Sequence, residues 1–598
     1  MDISSLMSSF GTYTPTTNNT EEPKMNNDQK LASIEMQKMA GSISLLGGTS
    51  SMDPQSLNQS IGKATDDYML SEEAQEEMIS ISGTKGNDNI KASINEETGN
   101  IIFNINGEEH EYTPEEAANG FKIDTGKGND NIDLSAIIGN FVIDAGDGDN
   151  NLQLGQGRNV VNVGNGNNNI TAENAHRNSI TTGNGNNNID INGDINTVNT
   201  GRGRDTISVS GNSSAVNSGA GNDTIIAGDG NSTIDGGKGN DTIIAGKGNH
   251  TIDGGKGNDT IIAGDGNNTI NGGNGKDTIV TGKGNNTIDG GKGNDTIVAG
   301  DGNNNIYGRD GNDIIVAGNG RNYIEGGKGN DNILAGNGNN VIYGLDGKDN
   351  INVGNGDNYI DGGKGNDRIN AGDGKNIIFG GKGRDSINTS SQTSNIWDDN
   401  RGFVNAGTGS QIHRYAYNEN SNLGSSISVK GDDDFRMRVE SDLESYRHLQ
   451  TGQKMLSELD NSGYKVDIQQ TTDQNGYATA HDNNRAYVNP DGTRGAGTDT
   501  TISYNPSFST ERLGKPLSIL FHEMAHAYDN ATGTKQPGEM IRDDGSKVNR
   551  RENQAVGLST EGGIEVEHPD GTITTGNPEG LTENAIRTEL GLDERTRY

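Results

Sequence analysis

The sequence predicts a multidomain protein in which a parallel β-roll of 18-residue coils lies between a disordered leader and an α+β domain. The chain has 598 residues, of which 92 are glycine and only 28% are apolar, so a single large packed core is excluded. Glycine, asparagine and aspartate recur at fixed intervals through the middle of the chain, which is typical of stacked repeats. From about residue 427 the composition becomes that of an ordinary globular domain.

The charge and the residue content restrict what the protein can bind. A formal net charge of -37 repels phosphate and there is no basic stripe, which excludes nucleic acid as a partner. The acidity instead indicates cation binding. Because the chain has no cysteine, any metal must be held by His, Asp, Glu or carbonyl oxygen. No apolar run is long enough to span a bilayer.

Residues 1–80 are predicted to form a disordered leader. They are rich in Ser, Thr, Asn, Gln and Met and contain only short apolar patches. The segment lacks the charged and then apolar opening of a Sec signal peptide, so secretion would need another signal. A polar, flexible N-terminus resembles the signals of type III secretion effectors. An ordinary solvated tail and type I export through a C-terminal signal are the alternatives.

The repeat unit G-x-G-N-D/N-x-I runs from Gly83 to about Asn388. Residues 81–200 are predicted to be irregular coils with an inserted β-hairpin at residues 100–113, and residues 201–389 a regular roll. Two slightly different nine-residue units alternate, so one coil has 18 residues and two strands. Glycines allow the tight turns and the isoleucines face inward. Since one coil cannot bury its own apolar face, the coils must stack.

One column of aspartates predicts a row of calcium sites. The repeat resembles the repeats-in-toxin (RTX) nonapeptide G-G-x-G-x-D-x-U-x, where U is a large apolar residue. Carboxylates and turn carbonyls are the ligands that Ca²⁺ prefers. The aspartates follow one another at a step of 18 residues, and they are Asp205, Asp223, Asp241, Asp259, Asp277, Asp295, Asp313, Asp331, Asp349, Asp367 and Asp385.

The same slot on the other side of the coils holds mainly asparagine. Asparagine can form a hydrogen-bond ladder without a metal, so the roll is expected to bind calcium on one side only. The alternative is that both columns merely make turns, which Asn and Asp favour. The lone variant His250 is expected to be solvated, and residues 390–426, which contain Trp397, are expected to cap the roll and link it onward.

The segment His522-Glu523-Met524-Ala525-His526 is an H-E-x-x-H motif inside a predicted helix that starts at Pro516. Two histidines four residues apart project from one helix face and can share a Zn²⁺ ion, and Glu523 lies beside them as a general base for a water activated by zinc. The alternative is two surface histidines on an amphipathic helix. The motif predicts a zincin-type metallopeptidase domain over residues 427–598.

The context of the motif discriminates between two families. Serralysin-type proteases use H-E-x-x-H-x-x-G-x-x-H, but here Asp529 and Thr532 occupy the last two fixed positions, so that family is rejected. The sequence resembles the NleD-like effector metallopeptidases, in which a strand like residues 501–506 precedes the motif and a stretch like residues 551–557 follows it. The resemblance implies a secreted protease, delivered into a host cell, with a host protein as substrate. Relatives cleave mitogen-activated protein kinases.

The third zinc ligand is predicted to be Glu552 and not Asp529. Asp529 shares the face of His522 and His526, but at 1.5 Å rise per residue it lies roughly 7 to 8 Å along the axis from their midpoint. Asp529 is instead expected to accept a hydrogen bond from the other ring nitrogen of His526. Glu552 lies on the next predicted helix and occupies the matching place in the NleD-like stretch.

Two further expectations concern function. The strand Thr501–Asn505 is a candidate edge along which an extended substrate adds by β-pairing. The rival function is a calcium-binding surface or matrix protein of the RTX type with an inactive terminal domain. The intact Glu523 argues against this rival, because a degenerate enzyme would be free to lose it.

Overall fold

The computed structural model describes residues 77–415, 422–473, 476–506, 515–541, 546–561 and 563–596, all within one compact unit. Nearly all of the predicted leader lies outside the described residues. In the part of the chain that is described, no helix is long and apolar enough to cross a membrane. The predicted fold class is confirmed, since a β-solenoid of 18-residue coils precedes an α+β domain.

Each coil of the roll contributes one strand to each of two faces. The strands of the first face are β2 (Asn89–Ile94), β6 (Asn131–Asp133), β8 (Asn151–Leu154), β12 (Thr206–Ser210), β14 (Thr224–Ala227), β16 (Thr242–Ala245), β18 (Thr260–Ala263), β20 (Thr278–Thr281), β22 (Thr296–Ala299), β24 (Ile314–Ala317), β26 (Asn332–Ala335), β28 (Asn350–Val353), β30 (Arg368–Ala371), β32 (Ser386–Thr389) and β34 (Phe403–Asn405). The strands of the second face are β1 (Ile79–Ser82), β5 (Phe121–Asp124), β7 (Ile138–Asp144), β9 (Gln156–Val163), β13 (Ser213–Asn217), β15 (Asn231–Asp235), β17 (Thr251–Asp253), β19 (Thr269–Asn271), β21 (Thr287–Asp289), β23 (Asn305–Asp310), β25 (Tyr323–Lys328), β27 (Val341–Asp346), β29 (Tyr359–Asp361), β31 (Ile377–Phe379), β33 (Asn395–Asp399) and β35 (Gln411–Tyr415). The long strands β10 (Asn169–Thr182) and β11 (Asn188–Asn199) pass through both faces.

The repeat sequence explains the coil. In β16 the side chain of Ile243 is fully buried and pairs in parallel with Ile225 and Ile261 of the neighbouring coils, which builds a thin continuous core. The turns need glycine: Gly257 has φ 135°, and a Cβ there would lie 1.7 Å from the carbonyl oxygen of Gly239. Stacked coils therefore approach too closely for any side chain at this position.

The first coils depart from the 18-residue step. The predicted hairpin is confirmed as β3 (Ile101–Ile105) and β4 (Glu108–Tyr112), which pair antiparallel, and a short 3₁₀ helix (Glu116–Asn119) follows. Their insertion lengthens the spacing between equivalent residues to 42 in the first coil. Later spacings of 20 and 19 settle to 18 along the regular roll.

Residues 395–415 differ from the predicted cap. Instead of covering the open end, β33, β34 and β35 continue the parallel ladders, so the roll gains a further coil. Trp397 in this coil is buried and stacks between Phe379 and His413. Trp397 and His413 are the last members of a ladder of rings on the outer side of the second face. The ladder consists of Tyr307, Tyr323, Tyr343, Tyr359, Phe379, Trp397 and His413.

The C-terminal domain packs helices against a four-stranded sheet. Its elements are β36 (Ile427–Lys430), α1 (Asp433–His448), α2 (Gln450–Ser462), β37 (Val466–Gln470), β38 (Tyr477–Ala480), α3 (Asn483–Ala486), β39 (Thr500–Tyr504), α4 (Pro516–Thr532), β40 (Glu539–Ile541), β41 (Lys547–Asn549), α5 (Arg550–Val556), β42 (Val566–Glu567), β43 (Ile573–Thr574) and α6 (Glu583–Glu589). The strand order is β36-β37-β39-β38, with β38 antiparallel at the edge. Strand β39, expected to be an edge, is paired on both sides, so that expectation is wrong.

Helix α1 joins the C-terminal domain to the ladder of rings. Arg438 of α1 is fully buried, with its guanidinium carbon 3.3 Å from the centre of the Tyr343 ring and its Nη1 2.5 Å from Asp442. Asp442 is within 3.4 Å of the hydroxyl of Tyr504, which is 3.3 Å from the carbonyl of Pro516 at the start of α4. The roll is therefore packed, through α1, onto the helix that carries the H-E-x-x-H motif.

Candidate metal centres

Helix α4 is buried along its whole length, which places the motif inside the domain. It begins with Pro516 and ends at Thr532, and Gly533, which follows, adopts the left-handed conformation. Leu520, Phe521 and Met524 have no exposed surface and pack in the core of the domain. The histidines project to the side where α5 and α6 contact α4.

Three side chains from two helices meet at one point. The Nε2 atoms of His522 and His526 lie 3.4 Å and 3.2 Å from Oε2 of Glu552 in α5. Their ligand atoms are all within 4.8 Å of one another, and no other such group of three occurs among the described residues. The structure thus brings together the three residues that the sequence reasoning selected as ligands.

Without a metal, the charged forms of His522 and Glu552 stabilise each other. Burial disfavours a charged His522, but its contacts with Glu552 and Glu583 outweigh burial and raise its pKa to about 10. Burial likewise opposes a charged Glu552, and the hydrogen bonds from His522 and His526 lower the pKa of this carboxylate well below its ordinary range. A metal at this point would compete with the proton on His522, so metal binding would release protons.

Glu523 lies beside this group, under the edge strand. Glu523 is 6% exposed, and its Oε2 has no hydrogen-bond partner among the described residues. Burial raises the pKa of Glu523, opposed by the two histidines and by the backbone N–H of Ala478 in β38. A Cβ at Gly476, just before β38, would be 3.2 Å from Cγ of Glu523. The edge strand therefore passes directly over this carboxylate.

Glu583 is a site residue that the sequence reasoning missed. Its Oε2 lies 3.0 Å from Nδ1 of His522 and 2.8 Å from Arg595, and its Oε1 lies 3.3 Å from Arg587. Its side chain is 1% exposed. The only signals in the sequence are Thr582, which caps α6, and the i, i+4 pair of Glu583 with Arg587. Neither signal shows that α6 returns to α4.

Asp529 does not make the predicted hydrogen bond to His526. Its Oδ1 accepts from Nε2 of Gln554 at 2.9 Å and from the hydroxyl of Thr534 at 3.2 Å. Among the described residues, His526 contacts only Glu552 through its ring nitrogens. One turn beyond His526, Asp529 faces the far end of α5 and joins the two helices. The predicted role, accepting a hydrogen bond from the second ring nitrogen of a motif histidine, belongs instead to Glu583, which contacts Nδ1 of His522.

The aspartate column has one orphaned oxygen in every coil. The backbone N–H of Asp241 donates to Oδ1 of Asp259, and this contact of 2.7 Å recurs down the column. The other oxygen, Oδ2, is buried and has no hydrogen-bond partner within the described part of the chain in any of the predicted residues, Asp205, Asp223, Asp241, Asp259, Asp277, Asp295, Asp313, Asp331, Asp349, Asp367 and Asp385.

In the opposite column, the side chains at the equivalent position form hydrogen bonds within the roll. The Nδ2 of Asn268 donates to the turn carbonyls of Gly264 and Gly266, at 3.1 Å and 3.4 Å, and to Oδ1 of Asn286. His250 takes the same role, because it is 1% exposed and its Nε2 lies 3.0 Å from the carbonyl of Gly246. The expectation that His250 is solvated is therefore wrong. At this position, Asn268 and His250 place an N–H donor, whereas the aspartates place a carboxylate oxygen that receives no hydrogen bond in the described structure.

These observations fit a cation in the aspartate column. On the asparagine side of the coil, the turn carbonyls accept hydrogen bonds from amide N–H groups. On the aspartate side, the equivalent carbonyls would face carboxylate oxygens, and these oxygens repel one another unless a cation lies between them. Burial raises the pKa of Asp241 and Asp313 to about 7, with neighbouring aspartates adding to the effect. A buried oxygen without a donor and a row of carbonyls are what a hard cation such as Ca²⁺ binds.

The column also extends beyond its predicted start. Hydrogen bonds of the same kind link Asp88 to Asp130 and continue through three asparagines to Asp205. The asparagines are Asn150, Asn168 and Asn187. Nδ2 of Asn168 donates to the carbonyl of Gly166 at 3.1 Å, as in the opposite column. The irregular spacing of the first coils hid this continuity in the sequence.

Comparisons with known families match both regions. Residues 424–598 match the Peptidase M91 family, described as an effector protein. The RTX calcium-binding nonapeptide repeat matches residues 144–176 and a run of overlapping segments, 217–252, 253–288, 272–306, 289–324, 316–351, 325–360 and 352–387. No curated protein and no solved structure matches the chain significantly.

Proposed function

We propose that this chain, which carries a Peptidase M91 effector domain behind RTX calcium-binding repeats, is an exported zinc metalloendopeptidase that hydrolyses a host protein. The observation that carries the proposal is the convergence of His522, His526 and Glu552 beside Glu523. Two imidazoles and one carboxylate form a donor set found in catalytic zinc sites, which leave a further position open for water or substrate.

Glu523 is the proposed general base. When bound, zinc would supply the activation of a water molecule and the polarisation of the substrate carbonyl. Glu523 takes the proton of the attacking water and returns it to the leaving amine. Burial raises the pKa of Glu523, which makes it a better proton acceptor than an exposed carboxylate. Glu583 accepts from Nδ1 of His522 and so keeps Nε2 turned toward the ligand group.

The proposed substrate path runs along β38. This strand is the antiparallel edge of the sheet, it lies over Glu523, and its first residue, Tyr477, is 48% exposed. An extended peptide adding to the side of β38 that no described strand pairs would bond backbone to backbone and bring a peptide bond to Glu523. The path belongs to β38 and not to β39, whose two sides are already paired.

The roll is proposed to couple folding to calcium. Without calcium, the orphaned carboxylates of successive coils repel one another, so the chain stays loosely folded and can pass an export channel. With calcium, the column orders. In a host cytosol poor in calcium, the asparagine column would retain part of the roll, because its amides satisfy the turn carbonyls.

Substitution of Glu523 tests the mechanism. We expect Glu523→Ala to abolish proteolysis while zinc content, measured by elemental analysis, and the circular dichroism spectrum stay unchanged, because Glu523 is not a ligand. Wild-type and variant protein would be added to host lysate, and new protein N-termini would be identified by mass spectrometry. The variant is the control for host proteases. Equal numbers of new N-termini with both proteins would refute the peptidase mechanism.

The same experiment addresses substrate and export. The NleD-like resemblance nominates mitogen-activated protein kinases as the first purified substrates to assay, and cleavage only by the wild type would support them. A reporter fused to residues 1–100 and expressed with a type III system tests the leader. Translocation supports delivery into the host cell, whereas retention with release of the full chain by a type I system would support the alternative export route.

A further inference from the structure

We propose that Asp398, which lies outside the nonapeptide pattern, joins Asp385 as a second carboxylate ligand of a cation site at the last coil of the roll. The matched repeats end at residue 387, so Asp398 belongs to none of them. Its side chain has no exposed surface. The site would bind a hard divalent cation, and Ca²⁺ is the proposed ion.

The argument starts from a column of glycines that precedes each aspartate. A point at the Cβ position of Gly362 lies 2.8 Å from Oδ2 of Asp367 and 2.6 Å from the carbonyl oxygen of Gly380, one coil further on. The corresponding point at Gly344 has the same two kinds of neighbour, at 2.5 Å and 2.4 Å. In the regular coils, each aspartate oxygen therefore shares a small cradle with a carbonyl oxygen of the next coil.

The last coil replaces that carbonyl with a carboxylate. The residue 18 positions after Gly380 is Asp398 and not glycine. The Cβ point of Gly380 lies 3.0 Å from Oδ2 of Asp385 and 2.9 Å from Oδ1 of Asp398. Two carboxylate oxygens from separate strands thus face one cradle that only the absence of a side chain leaves open.

Both of these oxygens are buried, and neither has a hydrogen-bond partner in the part of the chain that the structure describes. Arg414 pairs with the other oxygen of Asp398, with its Nη1 2.5 Å from Oδ2, and leaves Oδ1 without a donor. Burial raises the pKa of Asp385 to about 7, with Asp398 and Asp399 adding to the effect, and it raises the pKa of Asp398 to about 6 although Arg414 lowers it. A divalent cation in the cradle would satisfy both oxygens at once.

The neighbouring Asp399 shows the contrast. It is equally buried, but its carboxylate accepts from the backbone N–H of Arg401 at 2.9 Å and from the Nε of the same residue at 2.7 Å. Unlike Asp398, it has no buried oxygen without a hydrogen-bond partner. Asp399 is therefore a matched control of the same residue type, burial and strand.

The single tryptophan of the chain reports on this site. Trp397 precedes Asp398, and it is the only tryptophan among the 598 residues. Terbium is a luminescent substitute for calcium that is sensitised by a nearby indole, and excitation at the red edge of the tryptophan band avoids the tyrosines. We expect metal-stripped full-length protein to show tryptophan-sensitised terbium emission that added calcium displaces.

The variants decide the assignment. We expect Asp398→Asn to lose most of the sensitised emission and to bind one calcium fewer in equilibrium dialysis, while Asp399→Asn keeps both. Tryptophan fluorescence of the calcium-loaded Asp398→Asn protein should match the wild type, since an asparagine amide can donate to the cradle as Asn268 does to its turn. Wild-type emission and stoichiometry in Asp398→Asn, or an equal loss in Asp399→Asn, would overturn the proposal.

Discussion

The aspartate column and the His522–His526–Glu552 group are two candidate metal centres built in opposite ways. In the column, ligand atoms come from short turns that repeat every 18 residues, and each coil adds the same buried oxygen. In the peptidase domain, the atoms converge from α4 and α5 and are supported by α6, over a separation of 61 residues between His522 and Glu583.

The two centres also differ in how they carry charge without a metal. Glu552 and Glu583 both contact protonatable histidine, and their pKa values are lowered. Asp241 and Asp331 of the column have no histidine or arginine beside them, and burial and neighbouring aspartates raise their pKa values. We therefore expect the peptidase centre to stay folded when it is empty, and the column to depend on its cation for stability.

The largest expected effect follows directly. Removal of calcium with a calcium-selective chelator should loosen the roll and reduce its β-sheet circular dichroism, and millimolar calcium should restore it. Removal of zinc with a zinc-selective chelator should abolish activity and leave the spectrum unchanged. Identical spectra with and without calcium would contradict calcium-driven folding of the column.

Loss of a zinc ligand should come next in magnitude. We expect Glu552→Ala to lose most of its zinc, because Glu552 contacts both histidines, and Asp529→Ala to lose only part, because Asp529 joins α4 to α5 without touching His526. Metal content of the purified variants measures this, with calcium content as the internal control. The reverse order of zinc loss would show that the ligand assignment is wrong.

Glu583 should have a smaller effect of its own. Replacing a carboxylate that orients a metal-bound histidine typically weakens metal affinity about 10–100-fold. We expect Glu583→Gln to show this loss in competition with a chromophoric zinc chelator. Glu589→Gln, on the same helix but contacting the N-terminus of α2, should keep wild-type affinity. Equal zinc affinities for the two variants would show that Glu583 does not orient His522 for metal binding.

The smallest expected effect is the response to pH without calcium. The pKa values of Asp241 and Asp313 are raised to about 7, and that of Asp259 to about 6, from an ordinary 3.8. A raised carboxyl pKa favours the neutral folded form, so the stability is fully present near pH 4 and is lost as the pH rises through 6 to 7. The calcium-free roll should therefore melt at a higher temperature at pH 5 than at pH 8. In calcium the order should reverse, because protons compete with the ion.

Much of the molecule was determined by local sequence. The 18-residue coil follows from glycine turns and inward isoleucines such as Ile243, and the two columns follow from residue types at fixed steps. The paired histidines follow from the four-residue spacing of a helix. Even Glu552 was within reach, because it lies on the next helix and in a recognisable stretch. All of these features depend on residues that are close in the chain or that repeat.

Only the tertiary structure decided the rest. Nothing local brings Glu583 to His522, places β38 rather than β39 at the edge, or turns Asp529 toward Gln554. Likewise, Asp398 breaks the repeat in sequence and yet faces the cradle of Asp385 in space. Each of these contacts joins segments whose separation in the chain carries no periodic signal, so packing alone determines which side chains meet.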